Sequence, residues 1–172
     1  MTPPLELKQM KILEDIPAGE VEPIRRLCEE VSYPYDTELA YDGEDAKFVF
    51  LLRSGKTELT ARHPKTGRKV VIARKEPGET MGFSSLIQPY QLNFIIRCLE
   101  NCEMYRIPRA RLMQEQRRNP ALYEKLRHRI AKHVFPNLQK ALDRLQEEQG
   151  QESWYPQAED LEAAGNKEGD IL

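Results

Sequence analysis

The chain has 172 residues, 40 % of them hydrophobic and 31 % charged, with a formal net charge of −2. These are the proportions of one globular domain with room for a tail. The longest apolar run is Phe48–Leu52, far below the ~20 residues of a membrane helix, and no basic stretch followed by an apolar one opens the chain, so neither a membrane span nor a secretory signal is expected.

In chain order, the first signal is helical. Val21, Ile24, Leu27, Cys28 and Val31 fall on one stripe, which predicts a helix over Val21–Val31 with Pro23 tolerated in its first turn. A β-rich stretch follows. Glu38–Tyr41, Lys47–Arg53, Lys56–Arg62, Lys69–Lys75, Asn93–Leu99 and Glu103–Ile107 each read as strands, punctuated by Gly43, Gly55, Gly67 and Gly78. His63–Gly67 reads as a hairpin connection. Short strands with no helices interleaved predict an α+β, mainly β domain: an antiparallel β-roll, jelly-roll-like, with an N-terminal helix and C-terminal helices.

After Ile107 the period changes from 2 to 3.6. Pro108–Arg118 predicts a short helix. Asn119 then offers a cap oxygen and Pro120 a first helical position for a second, long amphipathic one. Leu122, Leu126, Ile130, Val134, Leu138, Leu142 and Leu145 make its apolar stripe, with a kink or break expected near Lys132–Pro136. Residues 147–172 carry eight acids and one base, leaving residues 1–146 at +5. That body is too weakly basic to indicate nucleic-acid binding, and the acidic end is expected to be a disordered tail. Within the tail, Trp154-Tyr155-Pro156 is either a docking segment or a piece that folds back on the body.

This order of elements resembles the cyclic-nucleotide-binding domain family, which includes catabolite-activator-type regulators and the regulatory subunits of cyclic-AMP-dependent kinase. The resemblance runs from about Leu13 to Leu145. It rests on Leu13-Glu14-Asp15-Ile16 followed by Val21–Val31, on Tyr41-Asp42-Gly43-Glu44, and on Phe48–Gly55 as a strand ending in Ser-Gly. Gly78-Glu79-Thr80-Met81-Gly82 and Cys102–Pro108 complete it. The implied division is an extension over 1–12, the β-roll over 13–119, a dimer or switch helix over 120–149 and the acidic tail over 150–172.

In the family, the segment after the Gly82 position is the phosphate cassette. A Glu there holds the ribose 2′-hydroxyl, an Arg pairs with the cyclic phosphate, and backbone N–H groups cradle its oxygens. Laid onto this chain, the ligand-binding positions are Gly82, Phe83, Ser84, Ser85, Leu92 and Asn93, with Phe83 where the Glu is expected and Leu92 where the Arg is expected. Two lost charge-assisted contacts are worth about 3–6 kcal/mol, or roughly 10²–10⁴ in affinity. Arg97, five residues beyond Leu92, falls on the opposite face of a regular strand and is expected to face solvent rather than replace it. Ser84 and Ser85 offer hydroxyls and free N–H groups to an anion, or act as ordinary caps.

Other chemistries find little footing. A metal-dependent roll needs converging histidines, but His63 is in a hairpin and His128 and His133 are on the C-terminal helix. Cys28, Cys98 and Cys102 lack metal-type spacing and suit a reduced, cytoplasmic protein. No Ser-His-Asp order, P-loop or dinucleotide fingerprint occurs. The reading is therefore non-enzymatic: a regulatory or sensor module with weak or lost cyclic AMP and cyclic GMP binding, needing no cofactor, with room for another small anionic or apolar ligand. It is expected to act as a homodimer through Leu122, Leu126, Ile130, Val134 and Leu138, or on a protein partner through the acidic tail, and not to bind DNA or membranes. Any switch would move Gly82–Leu86 and a hinge near Arg118–Pro120. A true cyclic-nucleotide receptor using backbone and serine contacts, and a ligand-free scaffold, are the rival readings.

Overall fold

The computed structural model describes residues 3–39, 47–62, 67, 69–82 and 94–133. Two 3-10 turns, Leu7–Gln9 and Lys11–Leu13, lead into helix α1 (Ala18–Arg25). Strands β1 (Glu29–Tyr33), β2 (Phe48–Ser54), β3 (Thr57–Arg62), β4 (Lys69–Lys75), β5 (Thr80–Met81), β6 (Phe94–Cys98) and β7 (Cys102–Pro108) follow, then helix α2 (Arg109–Arg118). A third helix, α3, begins at residue 120 and is described as far as 133. The strands form two antiparallel sheets, ordered β1-β7-β2-β5 and β4-β3-β6. The predicted β-roll flanked by helices is the observed architecture.

The helix predicted over Val21–Val31 is a correction. It ends at Arg25, and the chain becomes β1 from Glu29 to Tyr33. Ile24 and Leu27 do enter the core, so the first half of the stripe is helical. Beyond it, Val31-Ser32-Tyr33 favours extended backbone, and the edge of β7 supplies a ladder from Glu29↔Arg106 to Tyr33↔Cys102. Tertiary pairing overrides the local period here. Of the strand predicted over Glu38–Tyr41, Glu38 forms a single bridge to Arg97 and the Leu39 N–H donates to the Ile96 carbonyl; residues 40–46, with Gly43, lie outside the described residues. Strand β5 is two residues long, too short for any periodicity to show.

The register divides the four-stranded sheet into two faces. Val49, Leu51, Tyr105 and Ile107 share one, since Leu51 pairs with Tyr105 and Val49 with Ile107. The other carries Phe48, Phe50, Leu52, Met104 and Arg106, joined by Val31, Tyr33 and Met81. This second face looks toward the three-stranded sheet: the Thr57 hydroxyl of β3 donates to Met81 Sδ of β5 at 2.9 Å. Both faces are buried, which explains why β2 reads as an unbroken apolar run rather than an alternation. The hydrophobic core accordingly joins the sheets to the N-terminal turns (Leu7, Met10, Ile12, Leu13), to α1, to Leu112 of α2 and to Leu122, Tyr123, Leu126 and Ile130 of α3.

The junction between α2 and α3 forms as its sequence predicts. The backbone N–H of Asn119 donates to the Glu115 carbonyl, closing α2, while Asn119 Oδ1 accepts from the Leu122 N–H at 3.3 Å, opening α3. Polar ties then hold α3 to the N-terminal region. Lys125 Nζ lies 2.5 Å from Glu20 Oε2, and the Arg129 guanidinium donates to the carbonyls of Ile12 and Glu14.

Candidate functional site

Gly82 is the last described residue before the segment 83–93, and its surroundings fix where that segment leaves the roll. Its φ is +77°, and a Cβ there would stand 2.5 Å from the Phe48 carbonyl oxygen and 3.3 Å from the Phe50 ring. The glycine is therefore needed for two reasons, a left-handed backbone and a close approach to β2. Phe83, Ser84, Ser85, Leu92 and Asn93 lie outside the described residues.

What the described chain does show is the wall beside Gly82. Phe48 and Phe50 have ring centroids 5.9 Å apart, and Tyr33 stands edge-on to Phe50 at 6.3 Å. Arg106, one register step along β7, places its guanidinium carbon 4.5 Å from the Phe48 ring centroid. It is a cation inside the roll near the point where the cassette begins. Sequence reasoning missed it, because it sits in the middle of a strand read for its apolar alternation.

Arg106 is already engaged through two of its three nitrogens. Its Nε donates to Glu29 Oε2 at 2.6 Å and its second arm to the Tyr33 hydroxyl at 3.2 Å. The Glu29 hydrogen bond holds the guanidinium still more firmly in its charged form, more than offsetting the effect of burial. Arg111 of α2 closes on the other oxygen of Glu29 at 3.2 Å. The two arginines share one carboxylate and keep a surplus of one positive charge, but an incoming phosphate would have to compete with Glu29 for either cation.

Arg97 does not take part. It stands opposite Glu58 in a ladder without a bulge, on the face away from Leu59 and Ile96. Its guanidinium lies 3.3 Å from Glu58 and 3.8 Å from Asp36, and its side chain is 44 % exposed. The even-odd rule applied to the sequence places it correctly. Glu58 is a buried carboxylate that also faces Arg74 at 3.4 Å, a second shared carboxylate on the outside of the roll.

The cysteines are free and sheltered. Cys98 and Cys102 are buried, and Cys28 is partly so. Burial pushes the Cys28 thiol up to about 12, against the pull of Arg25 and Arg111, and its Sγ donates to the Ile24 carbonyl. A hydrogen bond from the Cys98 thiol to Cys102, followed by burial, raises Cys98; the same bond lowers Cys102. At pH 8 the native chain should therefore react with a thiol reagent at under about one equivalent in minutes, and with all three cysteines once denatured. Rapid release of more than one equivalent from the native chain would contradict this burial.

His128 and His133 stand on α3, and His63 lies outside the described residues. Among the described residues no group of three His, Cys, Asp or Glu side chains converges as a metal site, and no helix is long and apolar enough to cross a membrane. On α3, Leu122, Leu126 and Ile130 are buried in the chain's own core; Val134 and Leu138 lie outside the described residues.

Comparison with known proteins agrees with this architecture. No curated protein matches the chain. Among solved structures, a candidate cyclic nucleotide-binding protein of Geobacter metallireducens GS-15 is similar at 25 % identity and a TM-score of 0.66, over 80 % of this chain and 99 % of that one. The catabolite activator protein of Thermus thermophilus is similar at 22 % identity and a TM-score of 0.65, over 81 % of this chain and 63 % of that one. A cyclic nucleotide-binding domain from Methylobacillus flagellatus KT reaches a TM-score of 0.70 at 19 % identity, over 83 % of this chain and 79 % of that one. The model of the cyclic nucleotide-binding domain matches residues 30–119, a span that runs from β1 through the roll to Asn119, and the chain belongs to that family.

Proposed function

We propose that the chain is a non-enzymatic, cytoplasmic regulatory or sensor module whose pocket has weak or lost affinity for cyclic AMP and cyclic GMP. The observation that carries this reading is the state of the cations at the roll's mouth. Arg106 and Arg111 are both spent on Glu29, while the sequence puts Phe83 and Leu92 at the two polar positions of the cassette. A ligand that suits such a mouth is less polar than a cyclic nucleotide where Phe83 and Leu92 would meet it.

The output is proposed to be dimerisation or partner binding. Leu122, Leu126 and Ile130 are consumed by the chain's own core, so a seam between two copies would draw on α3's other faces and on the stripe beyond it, Val134 and Leu138. The acidic residues 147–172 are the other proposed contact. DNA binding is not part of the proposal, since residues 147–172 are acidic and residues 1–146 carry only +5.

Isothermal titration of the full chain with cyclic AMP and cyclic GMP tests the reading. The expected result is no saturable heat below roughly millimolar ligand. A Kd at or below about 10 μM would overturn it and favour a true receptor working through backbone and serine contacts.

A further inference from the structure

The C-terminal ends of α1 and α2 meet around an open groove of about 820 Å³. Arg26 stands at the end of α1, Arg117 and Arg118 in the last turn of α2, with Pro23 and the buried Leu27 giving the groove an apolar side. Arg111 also borders it but is committed to Glu29 and to the Leu27 carbonyl. One acid, Glu115, faces the same space. Arg26, Arg117 and Arg118 are exposed and make no ion pair among the described residues. Elsewhere among the described residues Arg53, Arg74, Arg97 and Arg106 each face a carboxylate. Two helix ends favour nearby positive charge, but three guanidinium groups around one concavity, with a single carboxylate among them, leave a surplus that attracts an anion.

We propose that this groove is the docking site of the chain's own acidic segment, residues 147–162, bound in cis. Between Glu147 and Glu162 the sequence holds six acids and no base, and at its centre Trp154-Tyr155-Pro156. The groove offers the complementary pair of features: guanidinium groups for the carboxylates, and the Pro23–Leu27 side, with arginine planes, for the aromatic rings. Reach allows it. Residues 120–133 carry the chain about 21 Å along α3 away from the groove; with the break expected near Lys132–Pro136, a helical stretch from there to residue 149 can return by about 20 Å, and the five residues on to Trp154 span up to roughly 17 Å. The docking covers a surface that a partner would otherwise meet, so the acidic segment acts as an intramolecular competitor for anionic partners of this face. The inference is independent of what the roll binds.

Trp154 is the chain's one tryptophan, so its fluorescence reports the segment directly in the full protein. At low salt the expected emission is blue-shifted and protected from acrylamide. The variant R26E/R117E/R118E should shift emission to the red and expose the ring to quencher, and roughly 0.5 M salt should do the same to the unaltered chain. Adding E147K/E148K/E152K to the triple variant should restore the protected signal, which separates lost docking from lost folding. Emission and quenching unchanged by the triple variant would overturn the proposal. So would a protected signal that fades on dilution in step with a dimer seen by light scattering, which would assign the segment to a second copy.

Discussion

Replacing Phe83 with Glu and Leu92 with Arg together should raise affinity for cyclic AMP by about 10²–10⁴ over the unaltered chain. Each substitution restores one charge-assisted contact of about 1.5–3 kcal/mol, and the two act on different parts of the ligand, the ribose hydroxyl and the phosphate, so their effects should nearly add. The singles are informative. Phe83→Glu alone should recover the ribose contact and Leu92→Arg alone the phosphate contact, each worth about 10–10² in affinity. Titration calorimetry of the two singles and the double measures this. If the double variant binds no more than a few-fold better, the cassette of this chain does not work as the family's does, and the loss of affinity lies elsewhere.

Gly82→Ala should cost about 2–4 kcal/mol of folding stability, read as a fall in Tm of roughly 5–15 °C. Two penalties combine: an L-residue at φ +77°, and a methyl group 2.5 Å from the backbone oxygen of Phe48. Neither can be relieved by a side-chain rotation, because the obstructing atom is main chain. Gly19→Ala is the control. At that position nothing lies within 4 Å of the added carbon, and alanine in α1 should stabilise by about 0.5–1 kcal/mol. Thermal unfolding of the two variants side by side decides the matter, and a Gly82→Ala protein within 2 °C of the parent, an interval of about 1 kcal/mol or less, would show that the strand can move away from Phe48.

The roll was readable from its punctuation. Most strands show as short runs of Val, Ile and Phe between glycines, and the cap at Asn119 shows as Asn-Pro before a leucine stripe. What could not be read is whatever depends on partners remote in sequence. The local preference of Val31-Ser32-Tyr33 for extended backbone is too weak to end the helical stripe by itself; the edge of β7, seventy residues on, makes the choice. Arg106 is similar. Its role at the roll's mouth arises from Glu29 and Phe48, which lie far apart along the chain and meet only through the ladders of β1, β7 and β2. Arg97 was placed correctly because alternation along one strand is a local property. The cassette positions were assigned by the family's pattern alone.

Three aliphatic residues on α3 bear on any signal that leaves this domain. Leu122, Leu126 and Ile130 are 8 %, 1 % and 1 % exposed, and returning them to water would cost about 5–9 kcal/mol. A small molecule that levered α3 off the roll would have to prefer the open form by roughly 10⁴–10⁶-fold. The first turns of α3 are therefore costly to detach from the roll. A motion of α3 that keeps the three side chains against the roll avoids that cost. A signal that passes through α3 is expected to move it as a body with these contacts kept, and not to release it.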